Sequence, residues 1–391
     1  MGEVHPTVHG AAWLTRLNVR FNRNELAGAF GDLGTDLPLV IGMVLAAGLD
    51  SASVLIMFGV MQLLTGFAYG MPMPVQPLKA VAVIVITTRV SASVLYGGAL
   101  AIGLLMLVLT ATRLLNALAR VIPHAVVRGI QFGLGLQLAF LALRDYVPAA
   151  GTTGFVLAGV AFAIGIALLG NRKYPAALVI VLLGVVYAVL LGFDTGAVIA
   201  GVSVRLPEFL VPTPDAILAG FLLLALPQIP LSLGNSILAT RQITLDYFPE
   251  RAPSVRKIGL TYSAMNLINP FFGGVPTCHG SGGMAGHYTF GARTGGSVVI
   301  EGSMYVVLGL FFSTSFATVI QVFPLPMLGV ILLFEGLALI LLTRDLTASK
   351  ADFQVAILVG LIASGLPYGF LLGLVVGAIL AYLTRRGAQS T

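Results

Sequence analysis

Runs of about 20 apolar residues follow one another almost without interruption along this chain of 391 residues. A run of that length crosses the hydrocarbon core of a bilayer, which is about 30 Å thick, as an α-helix. Only 9% of the residues are charged, whereas a soluble domain has about 25%. The sequence therefore predicts an all-α polytopic membrane protein and excludes an ordinary soluble domain. The single Cys278 leaves no partner for an intramolecular disulfide.

The apolar runs and the residues that break them predict about fourteen membrane segments. The first seven span residues 26–47, 51–69, 74–88, 92–111, 126–143, 154–170 and 174–192. The second seven span residues 216–240, 257–272, 275–291, 296–320, 324–342, 351–366 and 368–384. The polar stretch 194–215 is predicted to link two seven-segment repeats, 26–193 and 216–384. A cytoplasmic N-terminal segment, 1–25, and a C-terminal tail, 385–391, complete the predicted organisation.

Lysine and arginine are distributed unequally between the two sides of the predicted membrane. With the N-terminus inside, Lys79 falls within a segment, 17 of the other basic residues fall on the cytoplasmic side, and three, Arg89, Arg144 and Arg205, fall opposite. This positive-inside bias predicts cytoplasmic termini, and we expect the cytoplasmic (inner) membrane as the location. It also accounts for the formal net charge of +6 without a nucleic-acid partner. An odd number of segments in each half makes the halves inverted repeats.

Two of the predicted segments, the third and the tenth, are interrupted near their middles. The first interruption, 71–79, reads Met-Pro-Met-Pro-Val-Gln-Pro-Leu-Lys, and the second, 273–287, contains Pro276 and six glycines. Non-helical backbone at membrane depth is tolerated only where protein buries it or a wet cavity borders it. A pair of interrupted segments at corresponding positions of two halves points to the binding site of a transporter.

These two interruptions also resemble a known family. The stretches Met73–Ala80 and Val275–Arg293 look like the two signature motifs of the MOT-type molybdate transporters, which are distant relatives of the sulfate permeases. The stretch Phe30–Thr35, Phe-Gly-Asp-Leu-Gly-Thr, resembles the opening motif of that family. The similarity extends over essentially the whole chain.

The resemblance implies a seven-plus-seven inverted-repeat fold, shared with sulfate and uracil permeases. In that fold the third and tenth segments are each a short extended piece followed by a half-helix. The resemblance further implies elevator-type transport, in which a core group that carries both broken segments slides against a gate group, chiefly segments five to seven and twelve to fourteen. The STAS domain of typical sulfate permeases is missing, as expected for the MOT-type branch.

A tetrahedral dianion needs hydrogen-bond donors and positive charge without bulky side chains around it. We expect the half-helices to begin near Gln76 and Ser281, so that their N-terminal N–H groups face each other, each end contributing about half a positive charge. Glycines let an anion approach the backbone, because no Cβ stands in the way. A Gly-rich packing seam between helices is the structural alternative. The candidate substrate-binding residues here are Gln76, Lys79, His279, Gly280, Ser281 and Gly282.

Lys79 needs a negative partner, because a charge near the bilayer centre is costly and a cation at a helix N-terminus is disfavoured. The bound anion and Asp32 are the two candidates for that partner. Gln228 and Asn235, seven residues apart on one face of the eighth segment, are further candidate substrate-binding donors. Interhelical hydrogen bonding is the alternative role for both.

Asp32 and Asp36 are the candidate proton-coupling residues, four apart on one face of the first segment if that segment is helical. Two helix N-termini and Lys79 supply roughly +2 of charge, which balances a dianion. An ionised Asp32 close to that site would leave it short of positive charge, so anion binding should favour protonated Asp32. This charge balance predicts proton–molybdate symport. Glu301 and Glu335 are expected to have structural or gating roles.

The leading interpretation is a secondary active importer of molybdate with no catalytic, cofactor or metal site. The alternatives are a transporter of sulfate, tungstate or another oxyanion, a nucleobase permease of the same fold, and a passive anion channel. The run of N–H donors in the two motifs, together with Lys79, argues against the nucleobase permease. An intramembrane hydrolase would need His279 placed as the base for Ser281. The expected partners are the oxyanion, protons and membrane lipid, with a homodimer also possible.

Overall fold

The computed structural model describes residues 17–389 apart from 116, 118–122, 170, 172–173, 175, 193–195 and 197–200. Several predicted regions fall partly outside the described residues, among them the sixth and seventh segments at residues 170 and 175 and three regions that are not membrane segments. These three regions are the N-terminal segment up to residue 16, the linker at 194–195 and 197–200, and the tail at 390–391.

The first half is built from helices and one very short strand. In chain order these are α1 (Arg23–Ala29), α2 (Leu33–Ala47), α3 (Ser51–Tyr69), β1 (Gln76–Pro77), α4 (Lys79–Thr88), α5 (Ala92–Ala111), α6 (His124–Leu141), α7 (Gly151–Ala167) and α8 (Ala176–Gly192). The bounds of α3 and α5 coincide with the predicted second and fourth segments. The first segment was predicted as one membrane segment, 26–47, whereas the structure divides it between α1 and α2, at Phe30–Asp32.

The second half repeats this pattern. Its elements are α9 (Pro214–Tyr247), α10 (Val255–Ile268), β2 (Thr277–Cys278), α11 (Ser281–Thr289), α12 (Gly296–Val322), α13 (Leu325–Leu341), α14 (Lys350–Gly365) and α15 (Gly369–Gln389). Two stretches of α9, Phe221–Ala225 and Ser232–Ala239, are π-helical. They flank Pro227 and Pro230, which cannot donate the backbone hydrogen bonds of a regular α-helix.

Six of the described helical spans are at least 18 residues long and apolar enough to cross a membrane, and shorter apolar helices lie between them. The contacts between helices repeat in the two halves. Helix α3 packs along α12, and α5 packs along α10. Segments two and nine correspond in a seven-plus-seven repeat, as do segments four and eleven, so these two contacts are equivalent. The predicted inverted-repeat membrane fold is confirmed.

The helices also separate into two groups. Helices α6, α7, α13, α14 and α15 pack against one another, whereas α3 packs along α12 and α5 packs along α10, which also contacts β2. The first group corresponds to the predicted gate, and the second belongs to the predicted core. The π-helical half of α9 lies where the two groups meet, since it contacts both the core and the cavity beside α6.

Both broken segments have the predicted form of an extended piece followed by a half-helix. Strands β1 and β2 pair antiparallel, with Gln76 opposite Cys278 and Pro77 opposite Thr277. The prolines before each half-helix lack a backbone N–H, so a continuous helix could not close its hydrogen bonds there. The half-helices begin at Lys79 and at Ser281, within a few residues of the predicted positions.

Two buried amide side chains satisfy the backbone of the extended pieces. The side-chain amide of Gln62 in α3 accepts a hydrogen bond from the N–H of Val75 (3.0 Å) and donates one to the carbonyl oxygen of Val75 (3.1 Å). Asn266 of α10 does the same for Thr277, at 3.0 and 2.6 Å. An unpaired buried backbone group is expensive, and these amides remove that cost at equivalent positions of the two repeats.

Candidate functional site

The N-terminus of α11 is open. Its N-cap residue, Gly280, provides no side chain that could cap this end. Gly282 is exposed, and a Cβ added to it would meet no atom within 4 Å. The hydroxyl of the half-buried Ser281 donates a long hydrogen bond of 3.5 Å to Oδ1 of Asn235. The first-turn N–H groups therefore form an accessible positive helix end, the kind that binds anions.

The N-terminus of α4 is closed by a side chain from the other half of the protein. Oε1 of Gln228 accepts hydrogen bonds from the N–H groups of Ala80 (3.0 Å) and Val81 (3.4 Å). Its amide nitrogen donates to the hydroxyl of Ser232 at 3.1 Å. Gln228 is only 1% exposed. In this structure its amide makes the interhelical bonds that were the alternative to a substrate contact.

Gln76 and Asp32 lie directly beside the open end of α11. The amide nitrogen of Gln76 is 2.7 and 2.8 Å from the two carboxylate oxygens of Asp32. A Cβ added to Gly280 would lie 1.4 Å from Oε1 of Gln76, and one added to Gly283 would lie 2.1 Å from Oδ2 of Asp32. Only glycine fits at these two positions, because side-chain oxygens rest against the backbone there. Asp32 thus places its carboxylate against the helix end that would also hold an anion.

Lys79 is half-buried at the start of α4. Within the described part of the chain, no carboxylate oxygen lies within 4 Å of its ammonium group. Asp32, one of its two predicted partners, is bound to Gln76 instead. The charge of Lys79 is consequently not neutralised by direct contact with a protein anion in this structure.

His279 is held by protein groups on both ring nitrogens. Nδ1 lies 3.0 Å from the carbonyl oxygen of Pro74, and Nε2 lies 2.7 Å from the hydroxyl of Thr261. Because a carbonyl can only accept, Nδ1 carries a proton, and Nε2 of the neutral ring accepts from Thr261. This ring ties the two broken segments to α10, and neither nitrogen is left for an anion or for use as the base of Ser281.

A cavity of about 420 Å³ lies between α6 and residues 230–239 of α9. Asn235 and Gly234 of α9 line it on one side, and Gln131 and Arg128 of α6 line it on the other. Asn235 therefore contacts both this cavity and Ser281. The guanidinium of Arg128 is bound to Gln131 at 2.9 Å and to Asp345.

A second buried polar cluster lies behind Asp32, and sequence reasoning identified it only in part. It contains Asp36 of α2, His287 of α11, and Glu301 and Tyr305 of α12, all at most 2% exposed. Nε2 of His287 lies 3.3 Å from Oε2 of Glu301. The signal for His287 was its place in the long second motif, but no local pattern indicated that it would meet Glu301.

The structure thus brings Asp32, Gln76, Gly280, Ser281, Gly282 and Asn235 together around the start of α11, with Lys79 at the start of α4. It places Gln228 and His279 in protein hydrogen bonds and Asp36 in the second cluster. Gln62 and Asn266, which hold the broken segments in place, were missed because a buried amide in an apolar helix carries no local signature of its partner.

The chain is similar to known transport proteins. It matches a family model described as "Molybdate transporter of MFS superfamily" over residues 24–138 and 220–339. Molybdate transporter 1 of Arabidopsis thaliana is 32% identical over an alignment of 396 positions, which covers 88% of this chain and 84% of that protein. Molybdate transporter 2 of the same plant is also 32% identical, with coverage of 92% and 88%.

Among solved structures, the transmembrane domain of the cyanobacterial bicarbonate transporter BicA superposes with a TM-score of 0.66. The two chains are 17% identical, and the match covers 93% of this chain and 98% of the other. At this level of identity the likeness establishes the fold alone.

Proposed function

We propose that this chain, which belongs to the family of molybdate transporters, imports molybdate by proton-coupled symport with elevator-type alternating access. The observation that carries the proposal is the open N-terminus of α11, at which Ser281 and Gly282 are accessible. The N-terminal end of a helix binds oxyanions because its N–H groups are unpaired and its dipole is positive there.

The chemistry of this end suits a tetrahedral dianion. The exposed Gly282 lets an oxyanion reach the backbone donors, and the hydroxyl of Ser281 adds one side-chain donor. Lys79 supplies a full positive charge without a bound carboxylate within 4 Å. Asn235 presents an amide at the edge of the cavity that borders the gate. We place this cavity on the cytoplasmic route, since the predicted topology assigns the start of α6 to that side.

Asp32 is the coupling acid in this proposal, and Asp36 is the alternative. The carboxylate of Asp32 rests against Gly283, so an ionised Asp32 and a bound dianion would compete for the same helix end. Protonation of Asp32 removes that repulsion. By linkage, the proton strengthens anion binding and the anion strengthens proton binding to the same degree.

Uptake of labelled molybdate into proteoliposomes tests the function. We expect uptake to be driven by an inward proton gradient and not by a sodium gradient at constant pH. Competition with sulfate and tungstate measures selectivity among oxyanions of similar shape. Uptake of sulfate but not of molybdate would reassign the substrate, and sodium-driven uptake would overturn the proton scheme.

Reversal potentials in the same liposomes distinguish a coupled carrier from a passive anion channel. A channel carries a current that reverses at the equilibrium potential of the anion alone. The reversal potential of an electrogenic symporter also shifts with the proton gradient, and an electroneutral symporter carries no current. A current whose reversal potential does not change with the proton gradient would favour the channel.

A further inference from the structure

The cluster behind Asp32 leaves an unusual number of buried polar atoms without partners. Both ring nitrogens of His287, both carboxylate oxygens of Glu301 and of Asp36, and the hydroxyl of Tyr305 lack a hydrogen bond within the described structure. His287 and Glu301 are both 0% exposed. Their 3.3 Å contact is an ion-pair distance without hydrogen-bond geometry.

The net charge of the His287–Glu301 pair depends on whether the pair holds a proton. With one proton, His287 and Glu301 are neutral overall, either as imidazolium and carboxylate or as imidazole and carboxylic acid. Without that proton the pair carries −1 in a buried setting, and this charge acts on the buried carboxyl group of Asp36. An isolated buried charge is expensive, so the state of the pair depends on the charges nearby.

A proton fits this cluster better than a metal ion. The described residues contain no group of three or more His, Cys, Asp and Glu side chains placed to hold a metal. The titratable and charged groups that act on the cluster from surrounding elements are Glu25, Asp32, Lys79 and Cys278. Glu25 is itself fixed by backbone N–H groups at the start of α12.

Helix α11 connects this cluster to the candidate anion site. Gly283 of α11 lies against the carboxylate of Asp32. His287 follows one helical turn later, and residues four apart lie on the same face of a helix. The same helix therefore offers its N-terminus to the anion and its inner face to both Asp32 and the His287–Glu301 pair.

We propose that His287 and Glu301 form a second proton-binding centre, completed by Asp36 and Tyr305, which binds one proton together with the anion. The proposal rests on the function proposed above and extends it from one proton to two. One proton is held at Asp32 and one at the pair, so a dianion enters with two protons and no net charge moves. Both protons leave on the cytoplasmic side with the anion, which completes the balance.

Proton counting during transport tests the stoichiometry. With the membrane potential clamped at zero, a gradient of one pH unit supports at most about a hundredfold accumulation for two protons and about tenfold for one. We expect the wild type to approach the first limit and Glu301→Gln the second. Glu301→Gln should also become sensitive to membrane potential, because one negative charge then moves with each cycle. Glu208→Gln, an exposed carboxylate in the loop before α9, serves as the matched control and should behave as the wild type.

Proton uptake on molybdate binding, measured in weakly buffered detergent solution, gives an independent reading. We expect two protons per anion for the wild type, one for Asp32→Asn and one for Glu301→Gln. His287→Asn is the second variant for the pair and should also bind one proton fewer than the wild type. One proton in the wild type and none in Asp32→Asn would overturn the second centre while leaving the proposed symport intact. Molybdate binding without any proton uptake would overturn both.

Discussion

The two half-helices begin at equivalent positions of the repeat, yet their N-termini differ. At α4 the first free N–H groups, of Ala80 and Val81, are taken by the amide of Gln228. At α11 the N-cap residue, Gly280, has no side chain that could cap the corresponding end, and Gly282 is exposed. The two ends are therefore not equivalent, although the repeat is inverted. The end of α4 is closed by hydrogen bonds between the two halves, and the end of α11 is the one proposed to bind the anion.

The variant with the largest expected effect blocks the open end. A Cβ at Gly282 meets no protein atom within 4 Å, so Gly282→Val should fold normally. We expect molybdate affinity to fall by roughly a hundredfold or more, because charge-assisted hydrogen bonds of about 1.5–3 kcal/mol each are obstructed. Isothermal titration calorimetry on purified protein measures this.

Gly159→Val is the matched control for this experiment. Gly159 is exposed on α7, and a Cβ there also meets nothing within 4 Å. It should leave affinity unchanged. An unaltered affinity in well-folded Gly282→Val protein would place the anion site elsewhere.

A crossed pair of alanine variants tests the difference between the two ends. Ser281→Ala should lower affinity roughly ten- to a hundredfold and leave thermal stability nearly unchanged, because only a ligand donor is lost. Gln228→Ala should do the opposite, since each buried N–H left without an acceptor costs about 1–3 kcal/mol of stability. Melting temperatures measure the stability of both variants, and titrations with molybdate measure their affinity. If Gln228→Ala weakens binding as much as Ser281→Ala without destabilising the protein, Gln228 is a ligand.

Asp32→Asn probes the carboxylate that lies against the open end. Molybdate binding to the wild type should weaken as pH rises, by at most about tenfold per pH unit for each proton bound. In Asp32→Asn the anion should still bind, and the pH dependence should fall by one proton. Titrations over a series of pH values measure the slope. A slope identical to that of the wild type would remove Asp32 from the coupling scheme.

The smallest expected effect concerns His279, which lies one residue before the open end. Thr261→Val removes the hydrogen bonds to Nε2 of His279 and to the hydroxyl of Tyr69, and should cost about 1–3 kcal/mol of stability. Because His279 is a tie between segments and not an anion ligand in this structure, affinity should change less than about threefold. A much larger change in affinity, with stability preserved, would return His279 to the anion site.

Much of the architecture follows from the sequence. Bilayer thickness imposes the length of each apolar run, so α3 and α5 were predicted with their observed bounds. Proline has no backbone N–H and therefore interrupts a helix, so the starts of α4 and α11 were predicted within a few residues. The division of the first segment at Phe30–Asp32 was missed, because a helix can break there only when other elements support the turn.

Tertiary structure decided which donors remain for a ligand. Gln228 caps a helix 148 residues away, and His279 binds a carbonyl 205 residues away. The open end of α11, the capped end of α4 and the His287–Glu301 pair all depend on contacts between segments distant in the chain. Hydropathy and helix-breaking residues act locally, so the sequence determined by itself where the membrane segments lie and where two of them break. Hydrogen-bond partners are assigned only when the segments meet, so the fold alone decided which end of the inverted repeat stays free.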